Sequence, residues 1–138
     1  EEHKDYRSII TALEPVVEPT VHHAVSAAAA DIADTIQATA IVAFTSSGAT
    51  ASRIARKRPD VPILAITPHK HVMRQLVLTW GAFAMQSDTI DNYTDMAEKA
   101  AAHAREQGFA SKGARLVVVA GVPFGVAGTT NNVRVLEI

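Results

Sequence analysis

Short apolar runs alternate along the chain with longer segments whose apolar positions recur every three or four residues. The apolar runs predict five strands, and the helical spacing between them predicts four helices. The predicted strands cover residues 40–44, 61–67, 82–85, 116–120 and 132–138. The predicted helices cover residues 20–37, 48–57, 68–80 and 91–107. Residues 1–19 predict the tail of a further helix, followed by an extended linker that contains prolines.

This alternation predicts a mostly parallel sheet with helices on both faces. Only residues 121–131 join the last two strands, too few for a helical crossover, so the final strand is expected to be antiparallel. The run Leu116–Ala120 is the most apolar, which favours a central place in the sheet. The residues expected to face inward on the first and third of the four helices are Val21, Val25, Ala28, Ile32 and Ile36, and Val72, Met73, Leu76 and Val77.

Composition narrows the class of protein. Apolar residues make up 48% of the chain and charged residues 20%, the balance of an ordinary globular domain. The formal net charge of -1 gives no general attraction to nucleic acid or to an anionic membrane, and neither is expected as a partner. The sequence contains no cysteine, which excludes disulfides and thiolate catalysis and is typical of a cytoplasmic protein.

The segment that follows the first strand carries the clearest candidate chemistry. Three hydroxyl side chains, a glycine and a further threonine open the next helix: Thr45, Ser46, Ser47, Gly48 and Thr50. Backbone N–H groups at a helix N-terminus, with hydroxyls beside them, form an anion pocket, and phosphate is the expected guest. The segment matches neither the P-loop nor the dinucleotide fingerprint. The alternative is ordinary capping of the helix by serine and threonine.

A second loop leaves the same predicted edge of the sheet. Residues 121–128 follow the fourth strand and contain Gly125 and Gly128, so both loops can contribute to one pocket. The alternative is a glycine-rich turn before an edge strand. The basic residues near the end of the second of the four helices are Arg53, Arg56, Lys57 and Arg58. We expect them to be solvated and to complement the helix dipole, and the alternative is that they bind a phosphate or an acidic patch of a partner.

Catalytic and metal-binding patterns are missing from the sequence. The six histidines lack metal-ligand spacing, and we find neither a nucleophile elbow nor a carboxylate pair for acid and base work. We therefore expect a binding domain with no catalytic residue and no metal ligand. A small enzyme acting on a sugar phosphate is an alternative, and it would need His69 as its acid or base.

At this point the sequence resembles a known family, the C-terminal domain of pyruvate kinase. The resemblance keeps order and spacing over nearly the whole chain. It rests on an alanine-rich helix after Pro19-Thr20 and on the motifs Thr45–Ala51, Ile54–Pro59, Pro62–Thr67 and Gly128–Asn131. It implies a three-layer α/β/α sandwich on a five-stranded mixed sheet with the last strand antiparallel. It also implies that residues 1–18 end a preceding catalytic barrel and connect it to a domain at 19–138.

The resemblance implies a role as well as a fold. The intact enzymes transfer a phosphoryl group from phosphoenolpyruvate to ADP with magnesium and potassium, and that chemistry sits in the barrel. This chain would then need no cofactor of its own. In the family this domain contributes to a homotetramer, and in many members it binds a phosphorylated activator such as fructose 1,6-bisphosphate. A free-standing phosphate-binding module is the alternative.

Carried over by position, the segment from Thr45 to Thr50 matches the loop that holds one activator phosphate. The family often has a cation where this chain has Ala49. Fructose-bisphosphate-responsive animal members place a tryptophan and an arginine near Thr89 and Met96, and neither residue here can clamp a second phosphate. Because residues 121–128 also lack a cation, a monophosphate fits this pattern better than a bisphosphate.

Overall fold

The computed structural model describes residues 5–13 and 16–138, without the side chains of Arg7 and Thr11. It contains five helices and five strands, in the order α1 Tyr6–Ala12, α2 Val21–Thr35, β1 Ala40–Phe44, α3 Ala49–Arg56, β2 Ile63–Thr67, α4 Lys70–Leu76, β3 Ala82–Gln86, α5 Tyr93–Glu106, β4 Arg115–Gly121 and β5 Thr130–Glu137. The five predicted strands and four predicted helices are therefore confirmed, with ends that differ by a few residues. Any part of the predicted N-terminal helix and linker at residues 1–4 and 14–15 lies outside the described residues.

The strands form one mixed sheet in the order β3-β2-β1-β4-β5. The first four strands are parallel, and β5 pairs antiparallel with β4, as the short connection between them predicts. Leu116–Ala120 lies in β4, an interior strand between β1 and β5 as its apolar character predicts, while β1 is the middle strand of the five. Strands β1 and β2 are as completely buried as the middle of β4, so apolar character alone does not distinguish them.

The sheet is covered on both faces, which gives the predicted α/β/α sandwich. Because successive side chains of a strand point to opposite faces, Ile41 and Ala43 belong to one core cluster and Val42 and Phe44 to the other. The first cluster includes buried residues of α2, α3 and α4, and the second includes residues of α5. Among the described helices, none has both the length and the apolar character that crossing a membrane requires.

The buried side of α2 differs from the prediction. Val21 is 64% exposed and Ala28 is also exposed, while Val25, Ile32 and Ile36 are only partly buried at the margin of the core. The buried residues of this helix are Ser26, Ala29, Ala30 and Ala33. Small side chains let a helix approach its neighbours closely, and the larger residues then flank the contact.

The inward side of α4 is predicted only in part. Val72 and Leu76 are buried, as predicted, and Met73 is partly buried. Val77 is 72% exposed because α4 ends at Leu76 and the chain turns there. The helical spacing therefore no longer applies at Val77.

Candidate functional site

A cavity of about 180 Å³ lies at the edge of the sheet where the parallel strands end. Three segments contribute most of its wall: the turn after β1, the segment 88–90 after β3, and the loop after β4. Strands β1, β2, β3 and β4 all run in the same direction, so their carboxyl ends meet at this edge. Open α/β sheets place ligand sites at this edge.

Most of the candidate residues line this cavity together. They are Thr45, Ser46, Ser47, Thr50, Gly125 and Gly128. Gly48 is not part of the lining and lies behind it. Its φ of +85° is left-handed, and a Cβ atom there would come within 3.2 Å of Leu76 Cδ2. Glycine at this position therefore allows the turn to pack against α4 while it starts α3.

Hydrogen bonds within the turn fix its shape. The backbone N–H of Gly48 donates to Thr45 Oγ1 over 2.9 Å, and the N–H of Ala49 donates to Ser47 Oγ over 3.4 Å. Both hydroxyls act as acceptors in these bonds, so each keeps its own hydrogen for a further acceptor. The turn can therefore offer hydroxyl donors to an anion without losing its internal bonds.

Backbone donors lie beside these hydroxyls. The first hydrogen bond of the α3 ladder runs from the N–H of Ser52 to the carbonyl of Gly48 over 3.1 Å. The N–H groups of Thr50 and Ala51 precede that bond and have no acceptor inside the helix. They carry the positive end of the helix dipole, which favours an anion at this place.

A buried hydroxyl pair joins the two loops of the cavity. Thr50 Oγ1 and Thr130 Oγ1 are 2.7 Å apart, and both residues are buried. Thr50 opens α3 and Thr130 opens β5, so the pair connects the turn after β1 to the end of the final loop. One hydroxyl donates to the other, and the acceptor keeps a hydrogen that can be donated elsewhere.

The loop after β4 is held by its own polar groups. The side chain of Asn131 bonds both backbone groups of Val122, accepting over 2.9 Å and donating over 2.6 Å. Thr129 Oγ1 donates to the carbonyl of Val126 over 2.8 Å. Phe124 packs edge-on against Tyr93 with ring centroids 5.2 Å apart, so the loop also contacts α5.

A small ionic network positions the segment after β3. Asp95 Oδ2 accepts a hydrogen bond from the N–H of Asp91 over 3.0 Å and pairs with Lys99 Nζ over 2.9 Å. The same ammonium group donates to the carbonyl of Thr89 over 2.7 Å. The bond from Lys99 and the backbone bond from Asp91 hold the pKa of Asp95 below its ordinary value.

This network predicts an acid-dependent change in stability. Because the pKa of Asp95 is lowered on folding, its contribution is present above about pH 4 and is lost as pH falls through the lowered pKa. The difference in unfolding free energy between the wild type and Asp95→Asn should therefore be small but constant above about pH 4, and should vanish in stronger acid. Urea unfolding at a series of pH values measures it, with Glu98→Gln on the same helix as the control. A difference that does not change with pH would contradict this assignment.

The four basic residues of α3 and its end have four different environments. Arg53 is half-buried and lines the cavity, so it is less exposed to solvent than the pattern predicts. Arg56 is exposed, as expected. Lys57 Nζ lies 3.9 Å from Asp31 Oδ1, and the guanidinium of Arg58 stacks 4.4 Å from the centre of the Trp80 ring. Arg53 is thus a functional candidate, which the sequence analysis named only as the less favoured alternative for this basic cluster.

Three other residues named in the sequence analysis are also placed by the structure. Thr89 lines the cavity, whereas Met96 is fully buried in the core beneath α5. His69 is exposed and is not part of the cavity lining, so the geometry gives no support to its use as an acid or base there. Within residues 5–13 and 16–138, no group of three or more histidine, aspartate or glutamate side chains is placed to hold a metal ion.

Comparisons with known proteins agree with this architecture. The family model for the pyruvate kinase alpha/beta domain matches residues 23–136. A pyruvate kinase of Agrobacterium vitis is 50% identical over 137 residues, which are 99% of this chain and 29% of that protein. A pyruvate kinase of Methylorubrum extorquens is 40% identical over 130 residues, which are 94% of this chain and 27% of that protein.

A solved structure gives the same result in three dimensions. The crystal structure of a pyruvate kinase from Cryptosporidium parvum matches 96% of this chain with a TM-score of 0.82 and 25% identity, and the match covers 26% of that protein. The chain therefore spans less than a third of the length of these relatives. The matched region of the family model includes the turn after β1 and the loop after β4, and on this evidence the chain belongs to the pyruvate kinase alpha/beta domain family.

Proposed function

We propose that this chain is the regulatory and assembly domain of a pyruvate kinase, and that the cavity at the sheet edge is its effector site. The observation that carries the proposal is the meeting of the hydroxyl-rich turn and the final loop around one cavity. Hydroxyl side chains line this cavity beside the N-terminus of α3, and this combination suits a phosphate group. The effector residues are Thr45, Ser46, Ser47, Gly48 and Thr50, with Gly125 and Gly128 in the second loop.

The phosphoryl transfer of the full-length enzyme belongs to a separate barrel domain in this proposal. Residues 1–18 end that barrel and connect it to the domain at 19–138. The described residues do not fit a magnesium site, since they lack a suitable cluster of carboxylates or histidines. In this proposal magnesium and potassium bind in the barrel. The parent enzyme is proposed to be a cytoplasmic homotetramer.

Activity and binding measurements on the purified 138-residue chain test the two parts of this proposal separately. We expect no pyruvate from phosphoenolpyruvate and ADP, because this proposal assigns phosphoryl transfer to the barrel domain. We expect calorimetric titration to detect a phosphorylated ligand among glucose 6-phosphate, ribose 5-phosphate, AMP and fructose 1,6-bisphosphate. The Ser47→Ala variant should weaken binding by about tenfold, the effect of one hydrogen bond to a charged group.

Ser111→Ala is the matched control for Ser47→Ala, because Ser111 is exposed in the turn before β4, away from the cavity. Pyruvate formation by the purified chain would contradict the assignment of chemistry to a barrel. A lack of binding heat with all four phosphates would contradict the effector site. The coding sequence upstream of Glu1 provides a further test, since a start codon directly before it would favour the free-standing module.

A further inference from the structure

One arginine is part of the cavity wall. Among the described residues that line the cavity, Arg53 is the single cation, and it lies on α3 four residues after Ala49. Residues four apart share one face of a helix, and long helical side chains lean toward the N-terminus. Arg53 therefore covers the turn that contains Ala49, and the small methyl group of Ala49 leaves room for it.

Arg53 is half-buried and has no carboxylate partner among the described residues. Within residues 5–13 and 16–138, no aspartate or glutamate oxygen lies within 4.0 Å of its guanidinium group, whereas Lys57 on the same segment has Asp31. The guanidinium group presents five donors in a planar fork that matches the oxygens of a phosphate. Its donors are therefore available to an anionic ligand.

The cavity also contains a negative charge, on a different segment. Asp88, after β3, is the single carboxylate among the described residues of the lining. A carboxylate repels a second phosphate group but accepts hydrogen bonds from the hydroxyls of a sugar. The cavity volume of about 180 Å³ is below the roughly 300 Å³ at which sites for drug-sized ligands begin. Both features favour a small ligand with one charged end.

We propose that Arg53 supplies the cation for a single phosphate group and that the cavity selects phosphate monoesters of small hydroxylated compounds over bisphosphates. This inference rests on the proposed effector site and identifies the ligand class of that site. Asp88 accepts hydrogen bonds from the uncharged, hydroxyl-bearing end of the ligand.

Calorimetric titration of the 138-residue chain with glucose 6-phosphate tests the role of Arg53. Arg53→Ala should weaken binding by about tenfold or more, because a charge-assisted bond is lost. Arg53→Gln keeps most of the aliphatic part of the side chain but removes its charge, and it should show a similar loss of affinity. This second variant tests the role of the charge even if Arg53→Ala folds poorly. The double variant Ala49→Arg with Arg53→Ala should recover most of the affinity, because it returns a cation to the same face of α3.

The matched control is Arg56→Ala, on the same helix. Arg56 is exposed, is not part of the cavity lining, and borders a smaller cleft of about 60 Å³ beside Glu18, which Arg53 also borders. Its replacement should change the dissociation constant by less than about twofold. Circular dichroism of each variant shows whether the fold is retained.

Titration with fructose 1,6-bisphosphate tests the role of Asp88. The wild type should bind fructose 1,6-bisphosphate more weakly than glucose 6-phosphate. Asp88→Asn should raise the affinity for the bisphosphate, relative to that for glucose 6-phosphate, by about tenfold, because the repulsion between the carboxylate and the second phosphate is removed. Unchanged glucose 6-phosphate binding in Arg53→Ala and Arg53→Gln would overturn the assignment of Arg53 and leave the effector site intact. Tighter binding of the bisphosphate by the wild type would overturn the selectivity. A wild type that binds none of the phosphates would overturn the effector site and this inference with it.

Discussion

Replacing Met96 with arginine is expected to lower the free energy of unfolding by at least about 4 kcal/mol. The Met96 side chain is fully buried between α5 and the sheet, in the core cluster that contains Leu116 and Val118. An arginine there would lose the packing of a core side chain and would bury a charge beside apolar groups. Urea unfolding followed by circular dichroism at 25 °C measures the difference.

Met96→Leu is the control, because it keeps the volume and apolar character of the side chain. It should cost less than about 1.5 kcal/mol. An arginine variant as stable as the wild type would show that the side chain reaches the cavity or solvent from this position. The expected result has a functional consequence: a second phosphate clamp cannot be introduced at Met96 without loss of the fold, which agrees with the proposed preference for monoesters.

Replacing Gly121 with alanine is expected to lower the free energy of unfolding by about 2–3 kcal/mol. A Cβ atom at this position would overlap Thr129 Oγ1 and would lie 3.0 Å from the carbonyl carbon of Thr129. The second contact is with backbone, so a rotation of the threonine side chain cannot relieve it. The start of β5 would have to move away from β4 at the existing register shift between Ala120 and Gly121.

Gly125→Ala gives the matched control for Gly121→Ala, since Gly125 lies in the same loop with open space around it. Its φ of +81° still disfavours alanine, by about 1–2 kcal/mol. Because Gly121 and Thr129 both line the cavity, Gly121→Ala should also weaken glucose 6-phosphate binding. Equal unfolding midpoints for Gly121→Ala and the wild type would contradict the close approach of these two strands.

The sequence was sufficient to predict the sheet and the position of its loops. Apolar runs separated by helical spacing identify five strands, and the short connection before β5 requires an antiparallel partner. The same topology places the Thr45–Thr50 segment and the final loop at one edge, where the structure has the cavity. These features depend on local residue patterns and on the direction of each strand, which follows from the length of the connections between strands.

Side-chain environments were less predictable, because they depend on partners that are distant in the sequence. The buried side of α2 contains Ala29, Ala30 and Ala33, whereas Val21 is exposed. Alanine is less apolar than valine, so the sequence pattern favoured the side of the helix that contains Val21. Arg53 stands near other cations at a helix end, a pattern that ordinarily indicates solvation. Its place in the cavity depends on the loop after β4, which is far along the chain.

The hydroxyl pair between Thr50 and Thr130 also bears on when the cavity can form during synthesis. Its two members are 80 positions apart, so the turn after β1 cannot gain this support until β5 has left the ribosome and paired with β4. Local helices and the inner strands can form earlier, because their contacts close shorter stretches of chain. The proposed capacity to hold an anion therefore depends on β5, and a nascent domain that lacks this strand is expected to be folded in part without a complete cavity.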